Sequence, residues 1–435
     1  MEAQPLRSRE RPSEHSYAAF FKGCGPGPSL AAARNVWRRL TAGFDLPHPR
    51  VCVALLAVLA RAGEVAEAMD VYRRLSWETE EPLDAATVNA VLAACARSGS
   101  VEPALEVWTD ACARVSDEPG PPDAHSLALV LTACDRGGQW QRGLELIQSP
   151  EAGRIVWDAP LASCVMSVAG RAGRMDVAHG AWVRCVAEHD GRGPIRLTTW
   201  LGNAYLAATA HNGALDQAQA AVEALRARGV RLDGTSFTAL GSTATRCNAL
   251  APEERLSRVR AAVAALQAAG LQPDGHTLTV LLTAMGDVGR CQEAKDTVDD
   301  WSTRFRLAPN AYVYNTLIRC YLRAGQVAGA LEAFKAMQDA RVLPSTVTFT
   351  LLLKAAQAEG LSSAVEELRL LRRSLAEAGM LVEQFADGDE DVGLQPLPPQ
   401  ESFAPGAYWE GKQPPKPARR PNPRSRVKRA DWTSS

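Results

Sequence analysis

The chain has 435 residues, 46% apolar and 22% charged, enough for a sizeable core and too apolar for disorder over most of its length. Its 48 Lys+Arg and 49 Asp+Glu leave a formal charge of −1, which excludes a protein that holds nucleic acid by bulk positive charge; any polyanion must be met locally. Only 6% of the residues are aromatic while Ala and Leu dominate, a composition of closely packed helices rather than sheets.

From the N-terminus, Arg7, Arg9 and Arg11 are interspersed with Glu2, Glu10 and Glu14, so the opening residues lack the acid-poor character of an organellar transit peptide. The longest apolar run, Val51 to Ala60, lies between Arg50 and Arg61 and is half the length of about 20 residues that a membrane span needs. The ten cysteines are scattered without a Cys-x-x-Cys pair and read as reduced core residues.

The main signal is a repeat. An apolar helix ending in an Arg-containing phrase and Gly recurs at Arg61-Ala62-Gly63, Arg97-Ser98-Gly99, Arg136-Gly137-Gly138, Arg171-Ala172-Gly173 and Arg323-Ala324-Gly325. Glycine ends a helix by entering the left-handed region without a Cβ penalty. A second marker, a Pro-Asp-like pair suited to a turn and helix N-cap, closes units at Leu83-Asp84, Pro122-Asp123, Leu232-Asp233, Pro273-Asp274, Pro309-Asn310 and Pro344-Ser345. Cutting after each gives ten expected units: 14–48, 49–84, 85–123, 124–158, 159–194, 195–233, 234–274, 275–310, 311–345 and 346–380. A period of this length predicts an all-α, right-handed solenoid of helix-turn-helix repeats, none able to bury its apolar face alone.

The unit Ala311 to Ser345, AYVYNTLIRCYLRAGQVAGALEAFKAMQDARVLPS, resembles a pentatricopeptide repeat, and the resemblance extends over residues 14 to 380. It implies a plain, P-type array without an enzymatic C-terminal domain. It further implies sequence-selective binding of single-stranded RNA, an organellar transcript in a chloroplast or mitochondrion, with protein partners in RNA processing, stability or translation.

Helical geometry assigns the faces. With each unit numbered from its first residue, positions 4, 7, 8 and 11 cluster on a core side, in the ninth unit Tyr314, Leu317, Ile318 and Tyr321. Positions 2, 5, 9 and 13 fall opposite, on an expected concave groove. Position 13 is Arg61, Arg97, Arg136, Arg171, Arg246 and Arg323 in six units, a column suited to a phosphate backbone and equally to capping the C-terminal ends of the helices.

Position 5 and the last residue pair Asn89 with Asp123, Thr199 with Asp233, Thr238 with Asp274, Thr279 with Asn310, and Asn315 with Ser345. Short polar side chains suit the edge of an unstacked base, and also ordinary N-capping. In the family these two positions choose the base. The resemblance implies U for Asn-Asp, G for Thr-Asp, A for Thr-Asn and C for Asn-Ser, hence G-G-A-C over units six to nine and U at unit three. Ala18, Val53, Ala128 and Ser163 at position 5, with His48, Asp84, Asp158 and Pro194 at unit ends, specify no base.

From about Leu381 the composition changes. Acids Glu383, Asp387, Asp389, Glu390 and Asp391 precede nine prolines between Pro396 and Pro423 and eight basic residues between Lys412 and Arg429, the signature of a disordered tail, as are residues 1–13. No His-x-Glu with paired Cys-x-x-Cys, phosphate-binding loop or His ligand spacing occurs; His125, His179, His211 and His276 are scattered. Binding without catalysis, cofactor or metal is the expectation, with a peptide- or helix-binding scaffold of the same fold as the alternative.

Overall fold

The computed structural model describes residues 12–25, 27–41, 47–78, 83–114, 122–191 and 193–381. The expected N-terminal extension lies almost wholly, and the acidic, proline-rich and basic tail wholly, outside the described residues. Among those described every element is a helix, and none is long and apolar enough to cross a membrane.

The first helices of successive hairpins are α1 (Glu14–Gly23), α3 (Pro49–Ala62), α5 (Ala85–Ser98), α7 (Ala124–Arg136), α10 (Ala159–Arg171), α12 (Thr199–Asn212), α14 (Gly234–Arg246), α16 (Gly275–Val288), α18 (Ala311–Arg323) and α20 (Thr346–Ala358). Their partners are α2 (Pro28–Leu40), α4 (Val65–Glu78), α6 (Val101–Ala113), the broken pair α8 (Trp140–Ile147) and α9 (Pro150–Gly153), α11 (Met175–Asp190), α13 (Leu215–Ala227), α15 (Pro252–Ala268), α17 (Cys291–Arg304), α19 (Val327–Asp339) and α21 (Ser362–Glu377). The chain divides into two compact units, Met1–Leu307 and Ala308–Ser435.

Local chemistry sets the helix ends. Asp84, Asp123, Asp158, Asp233 and Asp274 each sit in extended backbone and accept the N–H three residues on, which satisfies one of the orphan donors of a helix start. Gly63, Gly99, Gly213 and Gly289 close their first helices at positive φ.

In the first unit, consecutive first helices pack directly on one another and form one layer; the second helices lie mainly against the first helices of their own and the following hairpin. Burial follows the expected face. Val88, Val91, Leu92 and Cys95 of α5, and Leu127, Val130, Leu131 and Cys134 of α7, are buried at positions 4, 7, 8 and 11. Small residues let the layer close up. A Cβ on Gly170 of α10 would fall 2.5 Å from the Cβ of Ala208 in α12, closer than such atoms approach. In the second unit Tyr314, Leu317, Ile318 and Tyr321 are buried in the same way.

The second layer is joined by ion pairs between successive hairpins: Arg34 with Glu67 at 2.6 Å, Arg73 with Glu106 at 2.9 Å, Arg142 with Glu102 at 3.1 Å, Arg228 with Asp190 at 2.5 Å, Arg290 with Glu253 at 2.9 Å, and Arg260 with Glu293. Exposed pairs of this kind contribute about 0–1 kcal/mol each. Their effect is to neutralise charge locally where successive second helices meet.

Arg73 holds the Glu106 carboxyl below its usual range, and Arg228 does the same for Asp190. Burial alone would raise Asp110, but Tyr72, Arg114 and Ser76 bring it below the usual value. A depressed folded-state pKa contributes stability above the unfolded value of about 4 and loses it as pH falls through the folded one. Urea titration is therefore expected to give lower stability at pH 3.5 than at pH 6. Replacing Gly170 by Val is expected to cost about 2–3 kcal/mol in the same measurement, because Ala208 is backed by packed helix and cannot retreat.

Candidate nucleic-acid interface

The pairs expected to choose bases sit where one first helix meets the N-terminus of the next. Asn89 of α5 directs its amide Nδ2 to Asp123 Oδ1 at 3.5 Å, while its Oδ1 accepts the Ser126 hydroxyl at 2.6 Å. Asp123 in turn accepts the Ser126 amide at 2.8 Å and hydroxyl at 2.9 Å. Burial would raise the Asp123 carboxyl, but these donors and Asn89 hold it below its usual range.

The sixth repeat corrects the expectation. Thr199 is the first residue of α12, not its fifth, and its hydroxyl donates to the Arg231 carbonyl at 2.6 Å. The residue in the fifth helical position is Asn203, which reproduces the Asn89 arrangement. Its Nδ2 donates to Asp233 at 3.0 and 3.2 Å, and its Oδ1 accepts the Ser236 hydroxyl at 2.6 Å. The shift arises because residues 193–198 approach the helix in non-helical backbone, with Ile195 and Leu197 buried, and Thr198 rather than Pro194 caps it. The pattern Gly202, Tyr205, Leu206 and Thr209, all buried, is the signal that fixes the new register. In that register position 13 is His211.

Other pairs are more enclosed. Thr238 is 3% exposed, donates to the Gly234 carbonyl and lies 2.9 Å from the Thr277 hydroxyl, whose neighbour Asp274 caps α16. Thr279 is buried and donates to the Gly275 carbonyl; Asn310 caps α18 through the Tyr312 and Val313 amides. In the second unit Asn315 and Ser345 are bonded at 3.3 Å, with Thr348 donating to Asn315 at 2.6 Å, but they are 5% and 0% exposed. Asn89 and Asn203, half-buried beside exposed Asp123 and Asp233, are the pairs open to solvent.

The position-13 arginines take a specific local role. Arg61 donates to the Cys24 carbonyl at 2.6 Å, Arg97 to the Ala60 carbonyl at 3.0 Å and Arg136 to the Arg97 carbonyl at 3.1 Å. Each therefore ties the C-terminal carbonyls of the preceding first helix, where a cation also meets the negative end of the helix dipole. In the sixth repeat Asn212 does this for the Gly170 carbonyl at 2.7 Å. Arg171 is half-buried and paired with Asp135 at 3.3 Å, which neutralises it in place. Arg246 is half-buried, whereas Arg61, Arg97, Arg136 and Arg323 are exposed.

No group of three or more His, Cys, Asp or Glu among the described residues is placed to hold a metal ion.

Comparison with known proteins gives three findings. The sequence model of the PPR repeat family matches residues 309–356, and that of the PPR repeat matches 86–111. No curated protein matches the sequence. Among solved structures, the pentatricopeptide repeat protein PPR10 in complex with an 18-nt psaJ RNA element is similar at 18% identity and a TM-score of 0.62, over 85% of this chain and 51% of that one. PPR10 from maize is similar at 18% identity and a TM-score of 0.56, over 83% and 50%. The chain thus spans about half the length of these structures, and the likeness is one of fold.

Removing the hydroxyl that organises a pair has a defined cost. Ser236→Ala leaves Asn203 Oδ1 without its donor and the Asp233 amide without its acceptor, and is expected to lower stability by about 1–2 kcal/mol by urea titration. Thr235→Ala, one residue away and exposed, is expected to change it by less than about 0.5 kcal/mol.

Proposed function

We propose that this chain, a protein of pentatricopeptide repeats, binds single-stranded RNA along its first-helix face, with one nucleotide per repeat. The observation that carries the reading is the recurrence, three hairpins apart and without a shared residue, of the same bonded set: Asn89–Asp123–Ser126 and Asn203–Asp233–Ser236. In each, the Ser hydroxyl occupies the Asn oxygen, so the amide nitrogen is oriented as the donor. One N–H goes to the Asp, and the other stands beside the exposed carboxylate, giving a donor next to an acceptor.

Uracil and guanine offer the complement, a carbonyl beside a ring N–H; cytosine and adenine do not. The family correspondence for Asn-Asp selects uracil, so repeats three and six share a preference for U and the expected segment over units six to nine becomes U-G-A-C. Thr238, Thr279 and Asn315, all under a tenth exposed, contribute less to base choice.

Arg61, Arg97 and Arg136, all in the first unit, are the proposed phosphate contacts, and Arg323 is a separate candidate in the second. A guanidinium has five N–H donors, so the single bond that Arg61, Arg97 and Arg136 each make to a carbonyl leaves donors for the ligand. Arg171 and Arg246, half-buried, are weaker candidates. Binding rather than turnover is the activity, and the resemblance supports a role in processing, stability or translation of a plastid or mitochondrial transcript.

Fluorescence anisotropy with a selected RNA tests this. Affinity is expected to fall with salt at a log–log slope near −2, about −0.7 for each of the three first-unit contacts. Replacing U by C opposite repeat six is expected to weaken binding about 10-fold in the wild type and little in Asn203→Ala. Salt-insensitive binding, or capture of a peptide instead of RNA, refutes the reading in favour of a protein scaffold.

A further inference from the structure

The last hairpin departs from the others in its second helix. In α4, α6, α11, α13, α17 and α19 the eighth and eleventh residues are buried in the core, those of α19 being Phe334 and Met337. Phe334 meets Phe349 of α20 at 5.9 Å between ring centroids, so this face of a second helix belongs to the following hairpin. In α21 the same two positions are Arg369 and Arg372, both exposed, with Arg373 beside them. The fourth and seventh, Val365 and Leu368, stay buried. Thus α21 keeps the packing of its own hairpin and turns a basic face to where a further hairpin would stand. Leu353 of α20, at a position fully buried in Leu92, Leu131 and Ile318, is only half-buried there.

The cations of this face lack what other second helices have. Arg34, Arg73 and Arg260 each pair with a glutamate of the next second helix, Glu67, Glu106 and Glu293. Arg369, Arg372 and Arg373 make no ion pair among the described residues, not even with Glu366 and Glu367 of their own helix. Carboxylates come next in the chain: Glu383, Asp387, Asp389, Glu390 and Asp391, with no Lys or Arg before Lys412. Distance permits their return. Arg369 lies about 12 Å of helix before Glu377, where α21 ends, and residues 382–391 reach up to about 33 Å. So short a connection keeps the acids at high effective concentration near the face.

We infer that the acidic segment 383–391 of this chain docks on the basic face of α21 in place of a further hairpin, its carboxylates against Arg369, Arg372 and Arg373. Docked, the segment withholds this basic end from polyanions met at random. The contact is independent of the RNA reading above.

The test uses the full chain with photoreactive p-benzoyl-phenylalanine in place of Val392, and heparin as the polyanion. Irradiation at low salt is expected to place crosslinks on residues 362–373. They are expected to fall about fivefold in about 1 M salt, and as far in Arg369→Gln with Arg372→Gln, whose melting curve stays that of the wild type because both side chains are exposed and unpaired. Replacing the acids by their amides (Glu383→Gln, Asp387→Asn, Asp389→Asn, Glu390→Gln and Asp391→Asn) is expected to raise heparin affinity about tenfold, but only about twofold where Arg369 and Arg372 are already Gln.

Crosslinks that fall elsewhere, on the basic residues between Lys412 and Arg429 above all, or that ignore salt, overturn the docking. So does a gain in heparin affinity that persists undiminished without the two arginines.

Discussion

A two-helix hairpin of about 35 residues has no interior of its own, and every element of this protein answers to that constraint. The apolar positions of each first helix are satisfied by the helices before and after it, so burial at Leu92 or Leu131 is a property of the neighbours as much as of the residue. The same dependence governs the polar groups. A first helix begins with amides and ends with carbonyls that lack partners, and the adjoining repeat supplies them: Arg97 donates back to the Ala60 carbonyl, and Asp123, the last residue of one unit, accepts the Ser126 amide of the next.

The two layers are held by different physics. Alanine and glycine let the first helices come into direct contact, as at Gly170 and Ala208, and exclude water there. The second helices are linked through exposed guanidinium–carboxylate pairs, which are weak and screened by salt. A near-neutral chain still presents cations on the first-helix face, where Arg61, Arg97 and Arg136 are exposed and bonded to carbonyls rather than to carboxylates.

The repeat was legible in the sequence because its punctuation is local chemistry. A glycine that must adopt positive φ and an aspartate that caps three residues ahead act within a few residues, and both marked helix ends at Gly63, Gly99, Asp123 and Asp233. The sixth repeat misled because residues 193–198 carry no turn pair; Ile195 and Leu197 are held instead by tertiary burial, which moved the fifth position from Thr199 to Asn203. The burial of Thr238 and Asn315, and the bond from each arginine to a carbonyl some 37 residues earlier, depend on how closely hairpins nest, and no local pattern reports that distance.

The coupling of Asn89 to Ser126, and of Asn203 to Ser236, bears on any attempt to reprogram the protein. Exchanging only the amide-bearing residue strands a hydroxyl that belongs to the following hairpin, so on the proposed RNA reading changing the base preference of one repeat is a three-residue operation that crosses a repeat boundary. Modules cut from this array and shuffled at the hairpin ends would separate the partners, and the boundary that conserves them runs one turn inside the next first helix.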